Sequence, residues 1–293
     1  QRVGARVLQP YAIEPIRPFL AEMKATARAL ASPTRCLLDL AEDTESLQKR
    51  FVALGMEGGV EDRRAWRELV CCSPGLGELC SGVVLDEEGL GQSAADGQTF
   101  VDALEEQGIV VGVRVDTGFF PLHGFGEQGT NGLLDLEDRC PDYYESGARF
   151  GLWRARFECT MELPTDIAVW DGATRVAECA AICQASGLAV AAELDVVSRE
   201  GNHSTERAAY ITEKVLSHAV RMFNERDVNL EATVLSSSVC LPGPGAAPPR
   251  AEEVARLTAQ AMRRTLPPAL PAVWLAAGCS PPREAARRTA DVR

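Results

Sequence analysis

Covalent carbonyl chemistry needs an amine, and this chain is almost without them. Its 30 basic residues include only three lysines, Lys24, Lys49 and Lys214. All three fall in stretches that read as helices, away from the strand ends where barrel enzymes keep their chemistry. Metal chemistry needs clustered ligands. The three histidines, His123, His203 and His218, show neither HExxH nor other paired spacing, so no metal site is expected. Ten cysteines are present without a CxxC pair. Cys240 and Cys279 follow strand-like runs, but neither has a base placed beside it by the sequence, which a thiol nucleophile requires. The glycines of Gly124-Phe125-Gly126 and Gly129 do not follow a strand closely enough to make a dinucleotide turn, and no P-loop occurs. No cofactor is expected.

The elements that would position any site are legible as a series of short apolar runs. They are Cys36-Leu37-Leu38, Gly82–Leu85, Gly112–Val115, Arg149–Trp153, Ala189–Ala192, Leu230–Leu235 and Ala272–Leu275. Their starts are separated by steps from 30 residues (82 to 112) to 46 residues (36 to 82), room for a helix and two loops each time. Helical patterns lie between them. Thr44 is expected to cap Glu45–Leu54. Glu61–Cys72 would turn Trp66, Leu69 and Val70 to one face. Further helices are expected over Thr99–Gln107, Asp166–Ser186, Thr205–Asn224 and Glu252–Thr265, with Gly108 and Gly187 at helix stops. Regular alternation implies a parallel sheet covered by helices, and seven units in one chain fit a (β/α)8 barrel. The expectation is therefore an α/β TIM barrel in a single domain over 1–293, with an N-terminal extension at 1–14 and a Pro/Gly surface loop at 242–250. An eighth strand is not visible. A barrel short of one strand has two open edges, so a further segment, a loop or another subunit is expected to cover the gap.

Composition narrows the classes. A net charge of −12 argues against a general nucleic-acid surface. No run of about 18 apolar residues occurs, so no transmembrane helix is expected, and Gln1-Arg2-Val3 opens no signal-peptide pattern. Scattered cysteines in apolar segments imply reduced thiols and a reducing compartment, cytoplasm or organelle interior.

Ordered segments then carry a resemblance. Glu61–Leu69 leads into Ser73-Pro74-Gly75-Leu76-Gly77-Glu78 and Ser81–Leu85. Ala95-Asp96-Gly97 precedes Phe100-Val101-Asp102 and Glu106–Val110. Tyr143-Tyr144 precedes Gly147-Ala148-Arg149-Phe150 and Trp153-Arg154. Ala180–Gln184, Thr212–Leu216 and Arg263–Pro268 complete the series. From about residue 15 to 285 the chain resembles class I fructose-bisphosphate aldolases. That resemblance implies a barrel whose strand-end lysine forms a Schiff base with a ketose phosphate. The position matching that lysine is Ser236. Arg114 and Leu152 stand where the family has two more lysines, and Ala41 replaces a catalytic aspartate. The phosphate-binding Leu-Ser-Gly-Gly turn reads Leu275-Ala276-Ala277-Gly278. Glu193 matches the acid/base glutamate. Glu42, Ser46, Arg50 and Arg154 match substrate-side contacts.

These departures imply a catalytically degenerate member, with the barrel kept as a structural subunit among other protein subunits of a larger assembly. The alternative is a binder of a phosphosugar or other anion, or a weakly active lyase. Arg114 and Arg154 are expected to pair with Asp116, Glu193 or Asp195, since an unpaired buried guanidinium is costly.

Overall fold

The computed structural model describes residues 18–276 except His123 and Phe125. Its order is α1 (Leu20–Leu30), β1 (Cys36–Asp39), α2 (Thr44–Ala53), α3 (Val60–Cys71), α4 (Leu76–Leu79), β2 (Cys80–Leu85), α5 (Glu87–Leu90), α6 (Phe100–Glu105), β3 (Val110–Arg114), β4 (Phe119–Pro121), β5 (Gln128–Thr130), α7 (Leu136–Glu145), β6 (Phe150–Glu158), α8 (Asp166–Ala185), β7 (Ala189–Val197), α9 (Thr205–Glu225), β8 (Thr233–Ser238), α10 (Ala251–Thr265) and β9 (Val273–Ala276). Seven strands pair in parallel in the order β1-β2-β3-β6-β7-β8-β9, while β4 and β5 form a separate antiparallel hairpin. Seven parallel strands covered by helices match the expected TIM-barrel architecture.

All seven expected strands are present, and most extend past the apolar runs that announced them. The sixth is a correction. Leu230–Ala232 makes a 3-10 turn and the strand begins at Thr233. Thr44 does not cap α2 as expected. Asp43 does, its carboxylate accepting the Ser46 N–H at 2.9 Å. In α3, Trp66 and Val70 pack on the core, but Leu69 points out at 68% exposure. Both predicted helix stops hold: Gly108 and Gly187 adopt φ of +70° and +89°, which glycine enters without a Cβ penalty. The 242–250 stretch is a loop, tied down by Gly243 N–H to His203 O at 3.0 Å and Gly245 N–H to Gly201 O at 2.9 Å.

Two apolar layers hold the sheet. The outer one lies between the strands and the helices. It uses β-strand residues such as Val83, Val113, Trp153 and Leu235 against Val176, Ile211, Leu216 and Phe223. The inner one fills the barrel. Met23, Ala27 and Leu30 of α1 close its base and meet Phe150, Leu152, Ala189, Ala191 and Val234. Gly112 is required there: a Cβ would stand 2.2 Å from the Phe150 ring. Burial falls at the ends of the sheet. β2 is buried throughout, whereas β1 and β9 are half-buried or exposed at every residue. Among the described residues no strand pairs with the outer edge of either. The expected extension 1–14, Ala277 and Cys279 lie outside the described residues.

Candidate functional site

The polar side chains gather at the C-terminal ends of the central strands, the end where such barrels carry their sites. Arg154 on β6 lies in register with Glu193 on β7, which is in register with Ser236 on β8. Arg154 grips Asp116, just past β3, through two parallel bonds: Nε to Oδ2 at 2.9 Å and Nη2 to Oδ1 at 2.7 Å. This bidentate geometry is the strong form of the charge-assisted bond. The Asp116 side chain is wholly buried. The Phe119 ring on β4 lies 5.4 Å from the Arg154 guanidinium and 4.8 Å from that of Arg156. Thr130 on β5 donates to Arg154 O at 2.7 Å, so the hairpin is latched to β6.

Charge balance at this mouth is uneven. Glu193 and Asp195 both come from β7, and Ser238 Oγ donates to Asp195 at 2.7 Å. Burial, then the neighbouring Asp195 carboxylate, pushes the Glu193 carboxyl up to about 8, toward its protonated form. Arg114 has the opposite difficulty. Burial, reinforced by the nearby Arg154 charge, lowers its pKa from the ordinary value, and its Nη1 is buried without a hydrogen-bond partner. The expected pairing of both arginines is thus met by Arg154, with Asp116. It fails for Arg114, because Arg154 already occupies both Asp116 oxygens.

The three comparisons with known proteins agree. A family model described as fructose-bisphosphate aldolase class-I matches residues 22–292. The chain belongs to the class I fructose-bisphosphate aldolase family. A cytosolic fructose-bisphosphate aldolase of Arabidopsis thaliana is 39% identical over 258 residues, covering 88% of this chain and 72% of that protein. A fructose-bisphosphate aldolase of Dictyostelium discoideum is 37% identical over 266 residues, covering 89% and 74%. The crystal structure of the Plasmodium falciparum aldolase, solved with TRAP and a small-molecule inhibitor, superposes with a TM-score of 0.90. It is 33% identical and covers 94% of this chain and 80% of its own.

Within this aldolase barrel, Ala41 and Leu152 are buried together in the inner apolar layer at 0% and 1% exposure. Ser236 is half-buried on β8, with Trp274 of β9 as its other register partner. Glu42 and Arg50 pair with each other at the rim, and Ser46 sits in the first turn of α2 beside them. Ala276 ends β9. Each lysine lies on a helix and is held by a carboxylate: Lys24 by Glu231, Lys49 by Glu45 at 2.7 Å, Lys214 by Asp166. His203 is buried against Ser198 Oγ at 3.0 Å, a packing role, and His218 binds the Lys214 carbonyl within α9. Cys240 is enclosed between Thr212 and Thr258, and burial pushes its thiol up. Among the described residues no group of three or more His, Cys, Asp or Glu could hold a metal ion. No described helix is long and apolar enough to cross a membrane.

Sequence reasoning did not single out Asp39, whose carboxylate accepts the Ala41 N–H at 2.8 Å at the end of β1. The available signal was an aspartate closing a strand at the catalytic end. It also missed Ser238, which is one turn of the pleat beyond Ser236 and orients Asp195.

Proposed function

We propose that this aldolase-family chain is non-catalytic, its barrel kept as a structural subunit that other proteins bind. The observation that carries this reading is the placement of amines. Ser236 stands at the imine position, a hydroxyl cannot form an imine, and the three lysines are spent on helix surfaces in ion pairs. Apolar packing of Ala41 and Leu152 supports it, since buried apolar side chains of the inner layer stand where the family has an aspartate and a lysine. The degenerate turn Ala276-Ala277 supports it from the sequence side. Among the described residues no strand covers the outer edge of β1 or β9, which supports a protein partner. Cytosolic plant relatives support a cytosolic location.

The test is direct. The protein is incubated with fructose 1,6-bisphosphate and borohydride, then digested and mapped by mass. No lysine peptide should carry a reduced adduct, and no triose phosphate should appear in solution. One labelled lysine would overturn the reading.

A second reading, binding of a phosphosugar or other anion without turnover, is favoured by one observation: the partnerless Nη1 of Arg114. Calorimetric titration with fructose 1,6-bisphosphate and with inorganic phosphate decides between the two. Heat of binding that disappears in Arg114→Met favours the binder, and none favours the structural subunit.

A further inference from the structure

Outside the mouth, the described residues include two groups of touching thiols, and they differ in one respect. Cys140, Cys179 and Cys183 lie at Sγ–Sγ distances of 3.8 Å (Cys140–Cys183 and Cys179–Cys183), all at 0% exposure under α7 and α8. Cys36 and Cys80 lie at 3.7 Å, but here Cys36 is exposed while Cys80 is 3% exposed. They begin adjacent parallel strands and are Cα partners in the ladder. Neighbouring strands run about 4.8 Å apart, inside the span of about 4.4–6.8 Å that disulfides accept between Cα atoms. The register shifts between Cys36 and Leu37, so the Cys36–Cys80 pair is set off from the regular ladder.

We propose that Cys36 and Cys80 are a redox-modification site: a dithiol that closes reversibly to a disulfide, stapling the edge strand β1 to β2, with a small-molecule disulfide of the glutathione type as oxidant. The exposed sulfur makes the first encounter. The Cys36 thiolate attacks one sulfur of the small disulfide, whose S–S bond breaks and releases one thiol. Cys80 then loses its proton and attacks the Cys36 sulfur, releasing the second. Two protein thiols are oxidised, one small disulfide is reduced to two thiols, and both protons leave with them. Burial and the Cys36 contact push the Cys80 thiol up to about 11, which makes it the poorer first nucleophile; it takes the second step because its sulfur already lies 3.7 Å from that of Cys36. Disulfides of reducing compartments are mostly of this transient kind. The bridge would close a loop across a separation of 44 residues, α2 and α3 included.

The whole chain is equilibrated with graded mixtures of oxidised and reduced glutathione, quenched by alkylation and digested without reduction. A peptide linking Cys36 to Cys80 is expected. It should vanish with dithiothreitol, and Cys140, Cys179 and Cys183 should alkylate only after denaturation. The oxidised form should melt several degrees higher, a rise that Cys36→Ser removes. Cys80→Ala should stop the reaction at a glutathione adduct on Cys36. The proposal fails if Cys80 remains a free thiol in the oxidised wild-type chain, whether Cys36 is free or glutathionylated, or if either cysteine links elsewhere.

Discussion

Two regions of this barrel bury arginine beside carboxylates, and they resolve the problem in opposite ways. On α3, Arg67 is 1% exposed, with Nη1 donating to Glu88 Oε1 and Gln92 Oε1 and Nη2 to Asp86 Oδ2, each at 2.7 Å. Arg63 forks onto the same Glu88 at 3.0 and 2.7 Å. The bond from Arg63, followed by that from Arg67, holds Glu88 at about 2. At the mouth, Arg154 and Asp116 are matched, but Arg114 has a buried donor without an acceptor and Glu193 is driven to its neutral form. A network made for stability pulls its groups toward ionisation. At the mouth, Glu193 and Arg114 are pushed away from it. Perturbations of the second kind also mark functional sites, so the sign of these two shifts, not their size, sets the mouth apart.

The largest effect should come from breaking the ion-pair network on α3, where both Nη groups of Arg67 are paired and only its buried Nε lacks a partner. Arg67→Met leaves Asp86 unpaired and Glu88 with Arg63 alone, so denaturant unfolding should show a loss of about 3–5 kcal/mol. A loss equal to that of an exposed arginine would erase the distinction.

Next is the mouth's stored proton. The folded-state pKa of Glu193, about 8, lies above the ordinary 4.5. Between those values the folded chain holds a proton that the unfolded chain has released. Stability therefore falls as pH rises from about 4.5 to about 8 and levels off above. Glu193→Gln cannot ionise, and its amide can donate to Asp195 as the protonated acid does. It should be more stable than the parent at pH 9 and equal to it near pH 4. A parallel pair of melting curves across that range would defeat the assignment. Smaller still is Asp116→Asn, about 1 kcal/mol of destabilisation by the same measurement. Arg154 keeps Glu193 as its register neighbour and can turn to it, which should lower the Glu193 pKa at the same time.

How much of this was legible in the sequence depended on the length of the element. Gly82-Val83-Val84-Leu85 announced β2 because a strand buried on both faces must be apolar throughout. The three-residue strands β4 and β5 show no alternation to read, and Pro141 inside α7 hid a helix that the neighbouring packing supports. Asp43 and Thr44 are both capping types, so composition could not choose between them. The site positions were legible only through ordered family segments. The choice of Asp116 over Glu193 as the Arg154 partner was not, because it depends on how the chain after β3 turns, which periodicity does not encode. The empty Arg114 donor follows from that same choice.

The smallest effect is expected from the most obvious repair. Ser236→Lys restores an amine on β8, opposite Glu193 and next to Trp274. An imine then needs its surroundings to remove and deliver protons, and catalytic groups that act as a unit do not contribute singly. The neighbouring positions remain apolar: Leu152 and Ala41 are sealed in the inner layer, where a charged side chain would be unpaired and costly. The new lysine is instead close to the carboxyls of Glu193 and Asp195, and ionised it would draw the Glu193 proton off, lowering that pKa from about 8. The result should be a salt-bridged ammonium, which is no nucleophile. Ser236→Lys should therefore show no cleavage of fructose 1,6-bisphosphate and no borohydride-trapped adduct, while its melting temperature loses the fall between pH 5 and 8. Measurable cleavage by this single variant would mean that the mouth retains a working proton-transfer arrangement, and that one residue separates it from an active aldolase.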